Sequence, residues 1–318
     1  MAGDARGGFD ADAALGRDVA DPAAPTVSVI VVTWNCREYL EGCFAAVASA
    51  GEVIVVDNHS SDGTAEYVAQ NWPAVRLLRP GRNLGFAAAN NLGIGVARGE
   101  FLLLLNADTL CDAATVHRLV GFLRAHPQAG IVGPMVVNAD GSLQRACRRR
   151  IPSPMDALWA LTGIARWRRW QTSGLAGRFA RYNAADLPVD APVEVDAVSG
   201  ACLMARREVA AAIGGLDESF FLFGEELDWC LRAKQGGWQV WYAPVGRVVH
   251  FKGGSTRKGG WRARYAFAHA MWLFYRKHLA RRYGPVWSVG VWLGITAYGA
   301  LTVGLALLRP GRPAGRAG

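Results

Sequence analysis

Four short apolar runs, each stopping on a polar cluster and each separated from the next by a helix-length stretch, constrain this chain more than any other feature. They are residues 27–33 (VSVIVVT), 52–56 (EVIVV), 75–78 and 101–105 (FLLLL). Runs of this length and apolarity fit strands buried on both faces. Between them, residues 37–48 place Leu40, Phe44 and Val47 at helical spacing, and Ser61-Asp62-Gly63-Thr64 opens a second helix. Residues 83–96 form an Ala- and Gly-rich third helix, and 113–124 a fourth. Strands and helices alternating in this way predict an α/β fold with a doubly wound, mostly parallel sheet.

In such a sheet, ligands bind at the carboxyl ends of the strands. The fourth run ends on Asn106-Ala107-Asp108, two oxygen-bearing side chains one residue apart, which can reach a hard divalent cation, Mg or Mn, holding phosphates. The alternative is a turn in which Asp108-Thr109 caps the next helix. The first two runs end on Thr33-Trp34-Asn35 and Asp57-Asn58. The first turn holds no glycine, which excludes a dinucleotide-binding fingerprint. Asp57 can accept from the ring N–H of a pyrimidine, or serve as a plain turn residue. Arg82, Asn83 and Gly85 place a cation, an amide and a permissive glycine at a helix start, fit for an anion or for simple capping.

The 318 residues suffice for one large domain and an appendage. Residues 1–25 lack apolar periodicity and predict a disordered tail, without the pattern of a signal peptide. The six cysteines form no CxxC pair, which argues against zinc or a disulfide framework and suits a reducing compartment. The net charge of +9 comes largely from arginines gathered at 145–150, 166–169 and 257–282. Such clusters fit nucleic acid, a polyphosphate ligand or an anionic membrane face. The membrane is favoured and nucleic acid set aside, because residues 286–308 are 23 in a row without a charged side chain. That length predicts a helix that crosses or lies in a bilayer, the alternative being a buried core helix. Trp287, Trp292 and Tyr298 suit an interface, and Arg276, Lys277, Arg281 and Arg282 just before the span predict that the main domain stays on the cytoplasmic face.

Residues 140–192, broken by Pro152, Pro154 and Pro188, predict an insertion or flexible loop. Its Trp159, Trp167 and Trp170 interleave with Arg166, Arg168 and Arg169, as on a headgroup-facing surface or a solvated loop. Strands are expected again at 193–198, 201–205 and 238–242, and an amphipathic helix at 262–279.

Six segments taken together resemble the family 2 glycosyltransferases of the GT-A fold, in their rhamnosyltransferase-like bacterial branch. They are SVIVVTWNCREYL (28–40), EVIVVDNHSSDGT (52–64), NLGFAAANNLGI (83–94), LLLLNADTL (102–110), VSGACLMARREV (198–209) and GGLDESFFLFGEELDWCLRAKQGGW (214–238). The resemblance, over residues 27 to about 252, implies a GT-A domain at 26–255 with 140–192 as an insertion or acceptor loop, and the patterns above add a basic amphipathic helix over 256–284, a membrane helix over 285–309 and a short tail over 310–318. It makes Thr33 and Asp57 nucleoside contacts, with Asn35 and Asn58 beside them, and puts Arg82, Asn83 and Gly85 near the base or diphosphate. Asn106 and Asp108 take the places of the DxD metal motif, with Asn replacing the first Asp, and His250 completes the metal site. An inverting transfer needs a carboxylate to take the acceptor's proton. The candidates are Glu226, which stands where the family usually has Asp, then Asp228 and Glu225.

The expectation is an inverting, metal-dependent transferase using a nucleotide sugar, dTDP-rhamnose favoured. Its acceptor would be a lipid-linked saccharide at the cytoplasmic membrane. The rival readings are a nucleotidyltransferase on a similar sheet and a non-catalytic membrane scaffold that binds nucleotide sugars. Oligomeric state has no signature in the sequence.

Overall fold

A computed structural model describes residues 26–153, 182, 184, 186–251 and 260–308. The expected tails at 1–25 and 310–318, and the Trp159, Trp167 and Trp170 surface, lie outside the described residues.

Each apolar run becomes a strand. Strands β1 (Val27–Thr33), β2 (Glu52–Asp57), β3 (Arg76–Leu78) and β4 (Phe101–Asn106) alternate with helices α1 (Arg37–Val47), α2 (Thr64–Asn71) and α3 (Phe86–Val96). The chain continues through β5 (Thr109–Leu110), α4 (Ala113–Ala125) and β6 (Ala129–Val137). After the short strands β7 (Arg148–Arg149), β8 (Val193–Glu194) and β9 (Ala197–Val198) come β10 (Cys202–Arg206), α5 (Arg207–Ile213), α6 (Glu225–Gln235) and β11 (Gln239–His250). Nine strands among the described residues form one sheet in the order β3-β2-β1-β4-β10-β6-β11-β5, with β8 on β11.

The sheet is mixed. Strands β1 to β4 pair in parallel, as do β6 and β11, whereas β10 runs antiparallel between β4 and β6. Alternation along each strand sorts the core into two layers. Val29, Val31, Leu103 and Leu105 pack under α1 and α4, while Ile30, Ile54, Leu102 and Leu104 face α3, α5 and α6. Register then sets the site: Thr33 lies opposite Asp57, and Val32 opposite Asn106, so three strand ends finish level at one edge.

Several boundaries differ from expectation. The third strand starts at Arg76, and the strand expected at 238–242 runs on to His250 past an irregularity between Tyr242 and Arg247. Helix α3 starts at Phe86 because Gly85 has φ 84°, outside helical space. The described part of 140–192 is partly ordered: β7 pairs with β9. The arginines at 148 and 149, read as surface charge, are buried at 4% and 8% exposure. Arg148 donates to the carbonyls of Leu187 and Pro188.

The C-terminal helices α7 (Gly260–Phe274) and α8 (Ala280–Leu308) are joined by a π-helical turn, Tyr275–Leu279. Within α8, Gly284 (φ 76°, ψ 176°) breaks the helix immediately before Pro285. Together they form one helical stretch that is, among the described residues, long and apolar enough to cross a membrane, and only 6% of its most apolar window is buried.

Candidate active site

One edge of the candidate site is built from the ends of β1, β2 and β4. Thr33 Oγ1 donates to Asp57 Oδ1 at 3.2 Å, and the Ser60 amide donates to Asp57 Oδ2 at 3.2 Å. Asp57 is thereby aimed and buried at the level of the strand ends. Asn58 clamps the neighbouring loop: its Nδ2 donates to the Gly85 carbonyl at 3.0 Å and its Oδ1 accepts from the Leu84 amide at 2.7 Å. Asn35, in the left-handed region at φ 53°, accepts from the Ser61 amide at 2.7 Å and ties β1 to the turn after β2. Asn83 accepts from the Gly85 amide at 2.9 Å, a local turn before the helix rather than a cap. Arg82 is exposed. Gly85 has to be glycine on two counts, its positive φ and a position where a Cβ would lie 2.5 Å from the Phe221 carbonyl oxygen. That carbonyl accepts from the Phe86 amide at 2.7 Å, so the donor loop touches the segment leading into α6.

Asp108 does not cap the next helix. Asp112 does, accepting from the Thr115 amide at 2.7 Å. Asp108, only 6% exposed, instead faces His250, with Oδ1 3.3 Å from Nε2. Gln144 orients that ring: its Oε1 lies 3.0 Å from His250 Nδ1 and its Nε2 donates to the His250 carbonyl at 2.9 Å. An acceptor on Nδ1 assigns the proton there, so in the neutral ring the lone pair of Nε2 points toward Asp108. Asn106 Oδ1 is buried without a hydrogen-bond partner. No cluster of three His, Cys, Asp or Glu side chains suited to a metal exists among the described residues. One carboxylate, one oriented imidazole and one orphaned amide oxygen nevertheless fit a Mg- or Mn-type cation completed by donor phosphates.

Three carboxylates begin α6 and have three different surroundings. Phe223 (φ 69°) and Gly224 (φ 83°) turn the chain sharply into the helix. Glu225 is buried, and burial and the neighbouring Glu226 push its carboxyl well above the usual range. Asp228 is fully buried among Arg232, Lys277 and His278, each 2.7 Å away. Burial opposes its ionisation, but hydrogen bonds from His278, Lys277 and Arg232 outweigh that and hold the carboxyl at about 2. A carboxylate so held is a poor proton acceptor. Glu226 binds Arg149 Nη2 through Oε1 at 2.8 Å, and its Oε2 has no hydrogen-bond partner. For Arg149, burial works against the charge, but Glu226 and Tyr182 outweigh it and keep the guanidinium protonated.

The segment 199–201 joins the two edges. A Cβ on Gly200 would stand 3.4 Å from Glu226 Cβ and Cγ, and the next residue's carbonyl, Ala201 O, accepts from the Asn106 amide at 3.0 Å. A cleft of about 200 Å³, lined by Phe221, Arg262, Tyr265, Ala266, His269 and Ala270, separates α7 from the approach to α6. Cys202 is buried against Cys111, whose hydrogen bond, with burial, raises its thiol well above the ordinary range and leaves it unreactive.

Two residues of this site have no signal of their own in the sequence, Arg149 and Gln144. Each acquires its role only from a partner 77 or 106 residues away.

A mostly parallel sheet whose strand ends gather a buried Asp, an Asn-x-Asp and a His, facing a helix that opens on carboxylates, defines a sugar-nucleotide transferase of the GT-A class. Residues 28–211 match the family model described as glycosyl transferase family 2. The chain is 31% identical over 245 residues to the N-acetylglucosaminyl-diphospho-decaprenol L-rhamnosyltransferase of Mycobacterium tuberculosis, spanning 72% of this chain and 76% of that protein. In fold it is similar to a mannosyltransferase from Pyrobaculum calidifontis solved in complex with GDP-Man and Mn2+ (TM-score 0.52, 21% identity, 94% of this chain and 77% of that one). It is also similar to GalNAc-T7 solved with UDP, GalNAc and Mn2+ (TM-score 0.50, 15% identity, 91% and 57%). The chain belongs to glycosyl transferase family 2 and is a glycosyltransferase. The nucleotidyltransferase alternative falls with that assignment.

Proposed function

We propose that the enzyme transfers a sugar, rhamnose from dTDP-rhamnose, with inversion onto a saccharide carried on a lipid diphosphate at the cytoplasmic membrane face. The observation that carries this reading is the bridge at 199–201, which sets Glu226 beside the backbone that also bonds Asn106. The donor and acceptor are favoured by the rhamnosyltransferase relative, whose name contains a diphospho-decaprenol-linked sugar.

In this mechanism Asp57, aimed by Thr33 and Ser60, accepts from the ring N–H of the pyrimidine. Arg82, exposed on the loop before α3, would serve the diphosphate. Asp108, His250 and Asn106 would hold a Mg or Mn cation, whose charge would stabilise a departing diphosphate. Glu226 removes the proton from the attacking acceptor hydroxyl, while Arg149, bound to its Oε1, keeps the carboxylate in place. The acceptor approaches through the cleft between Phe221 and α7.

A thermal-shift panel of dTDP, UDP and GDP with manganese or magnesium tests the donor half. Stabilisation by dTDP that requires the cation is expected. Equal response to all three, or none to any, would remove the donor assignment.

A further inference from the structure

We propose that the C-terminal apolar helix lies in the membrane–water interface as the outer arm of a helical hairpin and does not cross the bilayer, so that the chain's end stays on the side of the transferase domain. The inference deepens the membrane part of the proposed function and rests on it.

Length does not decide the matter. Residues 286–308, at about 1.5 Å per residue, extend roughly as far as a hydrocarbon core is thick. What decides is what the helix packs against. After the break at Gly284, α8 returns along α7 in antiparallel fashion. Tyr275 Oη lies 3.0 Å from Ser288 Oγ, the Phe267 and Tyr298 rings are 6.4 Å apart, and a Cβ on Gly299 would stand 3.1 Å from Ala268 Cβ. Partners on one arm fall in number as those on the other rise, which is a hairpin.

Helix α7 is in turn fastened to the domain. Phe267 meets Phe223 edge to face at 5.5 Å, Ala270 Cβ would lie 3.7 Å from a Cβ on Gly224, and Leu273 and Phe274 enter the core. Lys277 and His278 hold the buried Asp228. An α8 that crossed the bilayer in this arrangement would carry α7 with it. Continuing the Phe267–Tyr298 pairing brings Arg262 and Arg264 beside residues 301–303, at bilayer depth. An arginine costs up to about 3 kcal/mol at the bilayer centre and less toward its edges, and the polar edge of the domain would follow.

Laid flat, the same hairpin has no such conflict. Its outer arm exposes Val286 (84%), Trp287 (56%), Trp292 (47%), Leu301 (63%) and Leu308 (81%), and buries Ile295 against α7. Arg276, Arg281 and Arg282, exposed at the turn, complement anionic headgroups while the apolar arm sinks about 5–10 Å. The partner is therefore the acyl–headgroup boundary of an anionic bilayer. The hairpin would hold the Phe220–Gly224 approach to Glu226 at a fixed height above it.

The test is protease protection of the full chain carrying one epitope at each terminus, expressed in bacterial cells and followed by fractionation. Both epitopes should sediment with membranes, be protected together in intact spheroplasts and be digested together on lysis. Digestion of both in intact spheroplasts would also support the hairpin while moving the enzyme to the other face. Digestion of the C-terminal epitope alone would show crossing and overturn the inference, leaving membrane attachment standing. Recovery of both in the soluble fraction would overturn attachment itself. Leu301→Glu should release the protein from membranes by at least tenfold; if it instead converts a soluble dimer to a monomer, the face belongs to a second copy and the inference fails.

Discussion

The donor edge and the acceptor edge of this site are made by different means. At the donor edge, Asp57 and Asn58 are positioned by strand register and by partners within about thirty residues, many of them backbone groups. At the acceptor edge, three carboxylates within four residues are sorted mainly by distant charges: Arg149 for Glu226, Lys277 and His278 together with the nearby Arg232 for Asp228, and, among the described residues, no ion pair for Glu225. On the proposed mechanism, binding geometry is thus a property of the sheet, whereas the choice of base rests mainly on long-range ion pairs. Mutations at the two edges should therefore separate grip from turnover.

The largest expected effect breaks the donor edge. Asp108→Asn removes the one carboxylate facing His250 and should abolish transfer, measured as sugar release with purified protein of unchanged melting temperature. Glu226→Gln should lower turnover by about two to four orders of magnitude, the usual worth of a general base, with the donor KM unchanged. Should Asp228→Asn show that signature instead, the sorting of the three carboxylates is wrong.

Arg149→Met sharpens the comparison. It leaves Glu226 buried without its cation, and turnover should fall about a hundredfold while donor KM holds, the scale of a displaced catalytic group. Arg149→Lys should restore part of it, which a purely structural role would not predict. A stability loss of about 3 kcal/mol should accompany the Met variant, seen by denaturant melting.

The smallest effect concerns Asp228. Its carboxyl is held at about 2 in the folded protein, below the usual 3.8. A depressed folded value contributes stability above pH ~4 that is lost as pH falls toward 2, on the order of 2 kcal/mol. The stability difference between wild type and Asp228→Asn should shrink across that window; a constant difference would mean the cations around it are not what holds the group ionised.

The same contrast explains what could be read in advance. Runs such as residues 27–33 and 101–105 are short, largely apolar and, in the first, rich in β-branched residues, which fits a buried strand, and their polar ends mark the crevice. Asn106 and Asp108 stand at the end of such a run, whereas a ligand role for His250 is implied only by the family resemblance. The start of α3 was not legible in the sequence, because Gly85's backbone answers to a carbonyl at Phe221. Nor was the antiparallel β10, whose place between β4 and β6 depends on strand order rather than on pattern. Arg149 looked like one more surface arginine, and Lys277 and His278 like part of a basic membrane helix. Their meaning lies in carboxylates 77 and about 50 residues distant.

The central claim, that grip and proton removal reside at separate edges, is tested most directly by titrating dTDP with saturating manganese into wild type, Asp108→Asn and Glu226→Gln side by side by calorimetry. The account predicts wild-type affinity for Glu226→Gln and loss of the manganese-dependent part of binding for Asp108→Asn. Equal loss in both variants, or unchanged manganese-dependent affinity in Asp108→Asn, would contradict it.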